Sequence, residues 1–234
     1  MRLFIGNITP EYVILNQEEE HHIIKVLRMN DGEEIYVTDG LGSLVRGKIS
    51  IMGKKISINV LEIIKTKQTE IDNKGLHIAI APTKNIDRFD FFLEKSIELG
   101  ISTITPVLCA NSERKHLNYE KVLKQAYGAC KQCLRTVFPI INPLTNLQDF
   151  LKNSAENIYV AHCYNEFEKK SINQVLKNRK DLTILIGPEG DFSKKEIEHL
   201  YSYGATGISL GENRLRTETA GIFVTSCYYY SNFD

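Results

Sequence analysis

Two glycine-punctuated segments decide the fold of this chain: Ile184-Leu185-Ile186-Gly187-Pro188-Glu189-Gly190-Asp191-Phe192 and Leu210-Gly211-Glu212-Asn213-Arg214-Leu215-Arg216-Thr217-Glu218-Thr219-Ala220. In each segment, a strand-like apolar run leads into glycines, then into charged and hydroxyl residues, and then into a helical stretch. An α/β sheet presents backbone groups to a ligand in this way at the carboxyl ends of its strands. Because the two segments lie close together in the sequence, we expect them to form one composite pocket.

The sequence around these segments alternates between strand-like and helical stretches from Gly75 onward. The apolar runs with the length of buried strands are 76–81, 103–107, 157–162, 182–186 and 207–210. The stretches with helical spacing are 88–99, 119–134, 193–203 and 217–230. This alternation predicts an α/β fold with a mostly parallel sheet and helices on both faces.

The stretch before Lys67 has a different pattern, in which short alternating strands are separated by glycine turns. These strands predict a small β-barrel or sandwich, interrupted by one helical insert from Gln17 to Met29. The composition becomes polar between Lys65 and Lys74. We therefore predict two domains, 1–68 and 74–234.

Composition narrows the class of protein. The 234 residues are 42% hydrophobic and 25% charged, as in ordinary globular proteins. The apolar runs are far shorter than a membrane span, and the N-terminus lacks the apolar core of a secretory signal. The five cysteines do not have the spacing of a disulfide framework, so we expect a cytoplasmic protein. Because the apolar runs are short, we expect no membrane partner. The 29 basic and 29 acidic residues cancel, so net charge gives no case for nucleic acid.

The first loop, Gly187-Pro188-Glu189-Gly190, follows a strand; it is rigid, and two of its four residues have no side chain. Proline fixes one backbone angle, while the glycines permit a ligand to approach the main chain closely. Neither loop matches Gly-x-Gly-x-x-Gly or the P-loop pattern, which disfavours a dinucleotide site and a P-loop phosphate site. The first loop can hydrogen-bond an adenine or a ribose, or it can simply be a tight turn between a strand and a helix.

The second loop ends in Arg216-Thr217-Glu218-Thr219-Ala220, where a helix begins. Thr217 or Thr219 could cap this helix, and Glu218 could interact favourably with its dipole. These explanations do not extend to Arg216, because a cation is unfavourable at a helix N-terminus. We therefore expect an anionic partner for Arg216, either a neighbouring carboxylate or a substrate.

The two loops and three upstream segments resemble the RsmE family of 16S ribosomal RNA uracil-N3 methyltransferases. The sequence departs from the family pattern at Asp191, where a third glycine is usual, and at Glu212-Asn213-Arg214, where many members have Pro-Arg-Ile. The resemblance runs along essentially the whole chain. Its matching positions are 22–28, 94–100, 131–135, 186–190, Phe192, Leu210, Gly211 and 215–220.

The resemblance implies a fold, a cofactor and an assembly. The second domain would belong to the SPOUT class, whose parallel sheet ends in a trefoil knot, and the first would be a PUA-like RNA-binding β-barrel. In the family, the knotted loops bind S-adenosylmethionine (SAM), two subunits complete each site, and no metal is required. We therefore expect a homodimer that acts on 16S rRNA, with the assembled small ribosomal subunit favoured over bare RNA. The donor-binding residues that the resemblance implies are Ile186, Gly187, Gly190, Leu210, Gly211, Leu215, Thr217 and Ala220. His162 is a further donor-binding candidate, because it ends a strand.

Methylation of uracil N3 requires proton removal and stabilisation of the developing anion. We take Arg216 as the candidate that stabilises or orients the pyrimidine. Glu218 and Glu189 are the candidate proton acceptors, and each is equally well explained as a helix cap or a loop anchor. His162 ends a strand, so a structural hydrogen bond is an equally good explanation of it.

Basic side chains supply the candidates for RNA contact. Arg2, Arg28 and Arg46 lie in the β-rich domain, which carries no catalytic motif, so we expect this domain to contact RNA. Arg28 could instead pair with Asp31 or Glu34. The residues that we predict to bind RNA are Arg2, Arg28, Lys84 and Arg135.

Two alternative functions remain open: a SPOUT methyltransferase that acts on another base or on tRNA, and a non-catalytic RNA-binding protein. The intact Gly190 and 216–219 segment disfavour the second alternative. Cys130 and Cys133 fall inside a predicted helix without a second pair, so we expect no metal site. The apolar terminal helix must be buried in the core or against a second subunit.

Overall fold

The chain forms two compact units. The first comprises Met1–Asp72 with Tyr127–Phe138, and the second comprises Asn73–Ala126 with Pro139–Asp234. The predicted bounds, 1–68 and 74–234, placed 127–138 with the second domain, whereas the structure packs it with the first unit. The computed structural model describes residues 2–9, 12–53, 55–66, 75–153, 157–177 and 181–232.

The first unit contains one five-stranded sheet. Its strands are β1 (Leu3–Ile8), β2 (Val13–Leu15), β3 (Glu34–Thr38), β4 (Leu44–Met52) and β5 (Lys55–Lys65). They lie in the order β2-β1-β3-β4-β5, with β1 and β3 parallel and the other neighbours antiparallel. From Glu34 to Val37 the side chains of β3 alternate between surface and core, because successive residues of a strand point to opposite faces.

A short helical insert follows β2, as predicted, but it ends earlier than Met29. Helix α1 (Gln17–His21) continues into a π-helical turn, His22–Val26. Asn16 caps α1 by accepting the Glu19 N–H at 2.8 Å. Arg28 has a left-handed backbone with φ of 48°, which is incompatible with a continuing right-handed helix.

The segment 127–138 joins the first unit through main-chain pairing. Gly42 N–H donates to the Thr136 carbonyl at 2.9 Å, and Phe138 N–H donates to the Gly40 carbonyl at 2.8 Å. Lys131 Nζ pairs with Glu19 Oε1 at 2.6 Å, and Glu19 is only 4% exposed. These partners are distant in the sequence, so periodicity within 127–138 could not indicate them.

The second unit is built on an eight-stranded sheet in which every described pairing is parallel. This confirms the predicted parallel sheet. The strand order is β11-β13-β10-β12-β6-β7-β8, and β9 pairs with β7. The strands are β6 (Leu76–Ile80), β7 (Thr103–Leu108), β8 (Ile140–Ile141), β9 (Thr145–Asn146), β10 (Ile158–Ala161), β11 (Lys169–Ser171), β12 (Leu182–Ile186) and β13 (Thr206–Ser209).

Helices cover both faces of this sheet, as predicted. They are α2 (Ile86–Glu98), α4 (Leu147–Lys152), α5 (Ile172–Leu176), α6 (Lys194–Ser202) and α7 (Thr217–Ser231), while α3 (Tyr119–Gln132) is divided between the units. On one face, Leu185 is buried in a cluster with α4 and α6 residues. On the other face, Gly221 of α7 packs so closely against Phe92 of α2 that a Cβ atom would overlap the ring.

Strand register places the loops that carry the predicted site. Ala161 of β10 lies beside Ile186 of β12 and Ile208 of β13. The three neighbouring strands therefore end at the same level of the sheet. Because parallel strands present their carboxyl ends at one edge, the loops that follow them meet there.

Candidate functional site

A cavity of about 560 Å³ lies at the carboxyl ends of β10, β12 and β13. Its size falls within the range of about 300–1,000 Å³ that is usual for small-molecule sites. Eight of the predicted donor-binding residues line it: His162, Ile186, Gly187, Leu210, Gly211, Leu215, Thr217 and Ala220. Gly190 does not line the cavity, and its carbonyl accepts a hydrogen bond from Asn111 Nδ2 at 3.3 Å.

The loop after β12 is shaped by close packing and by one left-handed residue. A Cβ atom at Gly187 would lie 3.0 Å from the Phe192 ring, so a side chain at this position would require the ring to shift. Asp191 adopts a φ of 62°, a conformation that Asp tolerates better than most residues. The departure from the usual third glycine is therefore compatible with the turn.

The Asp191 carboxylate also joins two loops. Its Oδ1 accepts the Phe192 N–H at 2.7 Å, and its Oδ2 accepts the Cys163 N–H at 2.8 Å. Cys163 belongs to the loop after β10, so Asp191 fixes that loop to the one after β12. A glycine at this position would lack both hydrogen bonds.

Arg216 lies at the cavity wall and is the N-cap residue of α7, although its side chain makes no capping hydrogen bond. The side chains of Arg216 and Arg214 are exposed. Within the described part of the chain, no carboxylate pairs with either guanidinium. Of the two partners expected for Arg216, a neighbouring carboxylate is therefore absent among the described residues.

Thr217 and Glu218 occupy the start of α7 but have different surroundings. Thr217 Oγ1 donates to the Gly187 carbonyl at 3.0 Å, which connects the two predicted loops. Glu218 is 8% exposed and does not line the cavity. Its Oε1 is 3.8 Å from Arg88 Nε, and its buried Oε2 has no hydrogen-bond partner among the described residues.

Glu189 differs from Glu218 because it lines the cavity and is exposed. Its Oε1 accepts the main-chain N–H of Lys84 at 2.9 Å. The Lys84 ammonium does not share this contact, since it pairs with Glu113 Oε2 at 2.7 Å. Of the two acids considered as proton acceptors, only Glu189 is placed at the cavity.

His162 lines the cavity and is 8% exposed. Tyr201 donates its hydroxyl proton to the Glu168 carbonyl at 2.6 Å, so His162 Nε2, 3.1 Å from the same hydroxyl, acts as the donor in that pair. Burial is the main cause that lowers the pKa of His162, and Lys169 lowers it further. The lowered pKa favours the neutral imidazole, in which the buried Nδ1 is an acceptor, and this atom has no partner among the described residues.

The predicted RNA-binding residues fall on both units. In the first unit, Arg2 Nη1 lies 3.4 Å from Glu33 Oε2, and Arg135 Nε donates to the Val137 carbonyl at 2.6 Å. Burial lowers the pKa of Arg135. Lys84 lies in the second unit.

Arg28 is exposed and does not form either of the alternative pairs considered for it. Asp31 Oδ1 accepts the Ile51 N–H at 2.7 Å, and Glu34 pairs with Arg46 at 3.0 Å. Arg28 has no ion pair among the residues that the structure describes.

Two findings concern metals and membranes. All five cysteines are free, and the described residues contain no group of three or more His, Cys, Asp or Glu side chains that could hold a metal ion. Within the described ranges, no helix has the length and apolar character needed to cross a membrane.

Sequence reasoning missed two residues that brace the site from outside the cavity. Asn111 donates to the carbonyls of Gly190 and Asp191, and Arg114 donates to the carbonyls of Thr83 and Lys84. Their partners are main-chain groups in other loops. No sequence spacing signals such a contact, because any residue supplies the same carbonyl.

Comparison with known proteins identifies the family. The profile described as "RNA methyltransferase domain" matches residues 70–228, and the one described as "RNA methyltransferase PUA domain" matches residues 15–61. The chain is 32% identical over 232 residues to the Ribosomal RNA small subunit methyltransferase E of Mesomycoplasma hyopneumoniae, covering 97% of this chain and 98% of that protein.

Solved structures agree with these matches. A protein from Porphyromonas gingivalis, described as a probable rRNA-methyltransferase, is 31% identical with a TM-score of 0.85, covering 99% of this chain and 98% of that one. A Legionella pneumophila protein solved with bound cofactor SAM is 26% identical with a TM-score of 0.83, covering 98% and 96% of the two chains. The predicted fold class is thereby confirmed. The chain belongs to the ribosomal RNA small subunit methyltransferase E family of RNA methyltransferases.

Proposed function

We propose that this protein transfers the methyl group of SAM to N3 of a uridine in the 16S rRNA of the small ribosomal subunit. The observation that carries the proposal is the cavity in which the two glycine loops converge, with the unpaired Arg216 at its wall. Family membership supports SAM-dependent methylation of ribosomal RNA. The base and the atom methylated follow from the resemblance of the loops to the uracil-N3 enzymes.

The residues of the cavity fit SAM. Gly187 and Gly211 both line the cavity, and neither has a side chain that would keep a ligand away from the main chain. The unpartnered Nδ1 of His162 is an acceptor suited to an amino group of the ligand, because a buried acceptor without a partner costs free energy until it is paired. When bound, SAM supplies a methyl group activated by the sulfonium. Holding that ligand requires neither a metal ion nor a covalent bond to the chain.

Arg216 and Glu189 are the residues to which we assign the chemistry. The Arg216 guanidinium is placed to stabilise negative charge on the pyrimidine as N3 loses its proton. Glu189 is anchored through Oε1 to the Lys84 N–H, which leaves Oε2 for the proton of N3. Glu218, away from the cavity and beside Arg88, serves as a buried anchor at the start of α7.

The assembly that we propose is a cytoplasmic homodimer that binds the small subunit through Arg2, Arg28, Lys84 and Arg135. Exposed aromatic side chains on α7 support the dimer: Phe223 is 37% exposed, Tyr229 45% and Tyr230 84%. Apolar side chains in this position favour burial against a second subunit. Arg28 supports RNA binding because it is exposed and has no ion pair among the described residues.

Mass mapping of ribosomal RNA from cells that lack this protein tests the proposed reaction. We expect the loss of one methyl group from one 16S uridine, and its return when the wild-type gene is restored. Restoration with an Arg216→Ala variant is expected to leave that uridine unmodified. Loss of a methyl group from another base or from tRNA would support the alternative methyltransferase, and no loss at all would support a non-catalytic protein.

A further inference from the structure

Three loops at the carboxyl edge of the second unit are joined through the side chains of Arg114, Asn111 and Glu189, of which only Glu189 lines the cavity. They follow β6 (residues 81–85), β7 (residues 109–114) and β12 (residues 187–191). The third is the glycine loop of the cavity wall, called the donor loop below. The conformation of the donor loop depends on hydrogen bonds from the other two loops.

Arg114 holds the loop after β6 through a planar two-point contact. Its Nε donates to the Thr83 carbonyl at 2.9 Å, and its Nη2 donates to the Lys84 carbonyl at 2.6 Å. Both hydrogen bonds have a charged donor, which makes them stronger than neutral ones. Thr83 is almost fully buried, at 1% exposure, so the carbonyls that Arg114 grips belong to a fixed part of the fold.

The peptide that Arg114 fixes is the one that contacts the donor loop. Lys84 N–H donates to Glu189 Oε1 at 2.9 Å. Because Arg114 holds the carbonyls on either side of this N–H, it sets the direction in which the N–H points. The chain of contacts therefore runs from Arg114 through the Thr83–Lys84 main chain to Glu189.

Asn111 provides a second tie from the loop after β7. Its Nδ2 lies 3.3 Å from the Gly190 carbonyl and 3.1 Å from the Asp191 carbonyl. The same loop is itself fixed to α6, since Ala110 N–H donates to Glu196 Oε1 at 2.7 Å and Glu196 forms the capping box of that helix. Arg114 and Asn111 thus brace opposite ends of the segment from Glu189 to Asp191.

We propose that Arg114 is a positioning residue for the donor loop: it holds the Lys84 N–H in place, and through it the Glu189 carboxylate and the SAM-binding main chain. This inference rests on the proposed function, because it takes the cavity as the SAM site. Arg114 does not line the cavity, so its effect on SAM is indirect. Lysine cannot replace it, because an ammonium has no planar fork to engage two successive carbonyls.

The test compares purified variants by calorimetric titration with SAM and by kinetics on small subunits. Arg114→Ala and Arg114→Lys should each weaken SAM binding about tenfold, which corresponds to ~1.4 kcal/mol. They should also lower kcat, because Glu189 is misplaced. Lys115→Ala is the matched control, since it removes the same charge from an adjacent exposed residue and should bind SAM like the wild type.

Glu189 variants separate positioning from a general loss of stability. Glu189→Gln retains an acceptor for the Lys84 N–H and should keep SAM affinity, while Glu189→Ala should weaken it as Arg114→Ala does. The double variant Arg114→Ala/Glu189→Ala should bind SAM no more weakly than Glu189→Ala alone, because both changes remove one chain of contacts. Additive losses would indicate a merely structural Arg114 and would overturn the inference.

The outcomes distinguish this inference from the proposed function. If the wild type does not bind SAM, the proposed function fails. If the wild type binds SAM and the Arg114 variants bind equally well, the positioning role is wrong while the proposed function stands. If Arg114→Ala does not fold, Arg114→Lys, which retains the charge, decides the question by the same titration.

Discussion

The two walls of the cavity differ in how firmly the protein holds them. The donor loop is tied by Thr217 to the Gly187 carbonyl, by the Lys84 N–H to Glu189, and by Asn111 to the Gly190 and Asp191 carbonyls. The second wall, called the open wall below, is formed by residues 211–216, of which 211–214 are exposed. The described residues provide no hydrogen bond or ion pair to the side chains of 212–214.

This difference separates two tasks. A wall that is fixed before the ligand arrives loses little conformational entropy on binding, which favours tight binding of a small donor. A wall with exposed cations and few internal ties can adjust to a large anionic partner such as RNA. We therefore assign SAM to the fixed wall and the main chain of Gly211, and the RNA substrate to the exposed side chains of the open wall.

Replacing Arg216 by alanine should produce the largest effect and should fall on the substrate side alone. We expect kcat to fall about 10³-fold, because one group that stabilises developing negative charge is lost. SAM affinity, measured by calorimetry, should change little. Arg214→Ala, on the same wall, should cost less. A large loss of SAM affinity in Arg216→Ala would show that the two walls do not divide the work in this way.

The amino-terminal half of the same sheet gives a second contrast, because it carries a half-buried, hydrogen-bonded histidine far from the loops of the cavity. His77 lies 2.7 Å from Thr105 Oγ1 and 3.4 Å from Thr183 Oγ1, and burial lowers its pKa to about 4. The unfolded chain binds a proton near the ordinary pKa of about 6.5, while the folded protein does not. Stability should therefore be lost as pH falls from about 6.5 to 4, by about 3 kcal/mol in total.

Urea unfolding at a series of pH values measures this loss. His77→Asn removes the titrating group, so the part of the pH dependence between pH 6.5 and 4 that is due to His77 should disappear in that variant. His199→Asn is the control, since His199 is exposed, and it should retain the wild-type profile. An unchanged profile in His77→Asn would contradict the assignment.

Gly211, which lines the cavity, and Gly190, which does not, should respond differently to replacement by alanine. Gly211 has a φ of 120°, a backbone conformation that favours glycine, so Gly211→Ala should distort the open wall and weaken SAM binding about tenfold. Gly190 is not on the wall, and its Cβ atom would meet Asn111 at 3.4 Å, an ordinary contact. Gly190→Ala should therefore bind SAM nearly as well as the wild type. Equal losses in calorimetric titrations would contradict this distinction.

The parallel sheet and the position of its cavity could be predicted from the sequence, because both follow from local sequence patterns. Alternation of strands and helices predicts the parallel sheet, and the glycines at the ends of β12 and β13 predict a pocket at its carboxyl edge. The strand β1 and the pairing of 127–138 with the first unit could not be predicted in this way. Each depends on main-chain partners far away in the sequence, such as Thr136 with Gly42.

The candidate site was harder to predict at the level of single side chains. Glu218 and Glu189 are both acids beside a glycine loop, and only the fold shows that Glu189 faces the cavity while Glu218 is buried near Arg88. Asn111 and Arg114 have no motif, because they contact main-chain carbonyls. The unpartnered Nδ1 of His162 follows from the Tyr201 and Glu168 contacts, which meet only in the folded sheet.

A charged residue on α7 should prevent the proposed dimer from forming and thereby loosen the walls of the cavity. Phe223→Glu or Tyr229→Glu places a carboxylate on a helix that begins at the open wall, so we expect monomers whose SAM affinity is about fivefold lower. Light scattering during size-exclusion chromatography gives the mass, and calorimetry gives the affinity. Ser231→Glu, an exposed position at the end of the same helix, is the control. A wild type that is a fully active monomer would end the proposal.

The smallest effect should follow from Arg28, which lies in the first unit and outside both walls. Arg28→Ala should weaken binding to small subunits about threefold and reduce the slope of the salt dependence by about one, as expected for one phosphate contact. SAM affinity should be unchanged, because no residue of the cavity is altered. Arg46→Ala is the matched control, since Arg46 pairs with Glu34 and Glu62 and is less available to a phosphate. Filter binding at several salt concentrations measures both quantities, and an unchanged salt slope in Arg28→Ala would remove Arg28 from the RNA-binding surface.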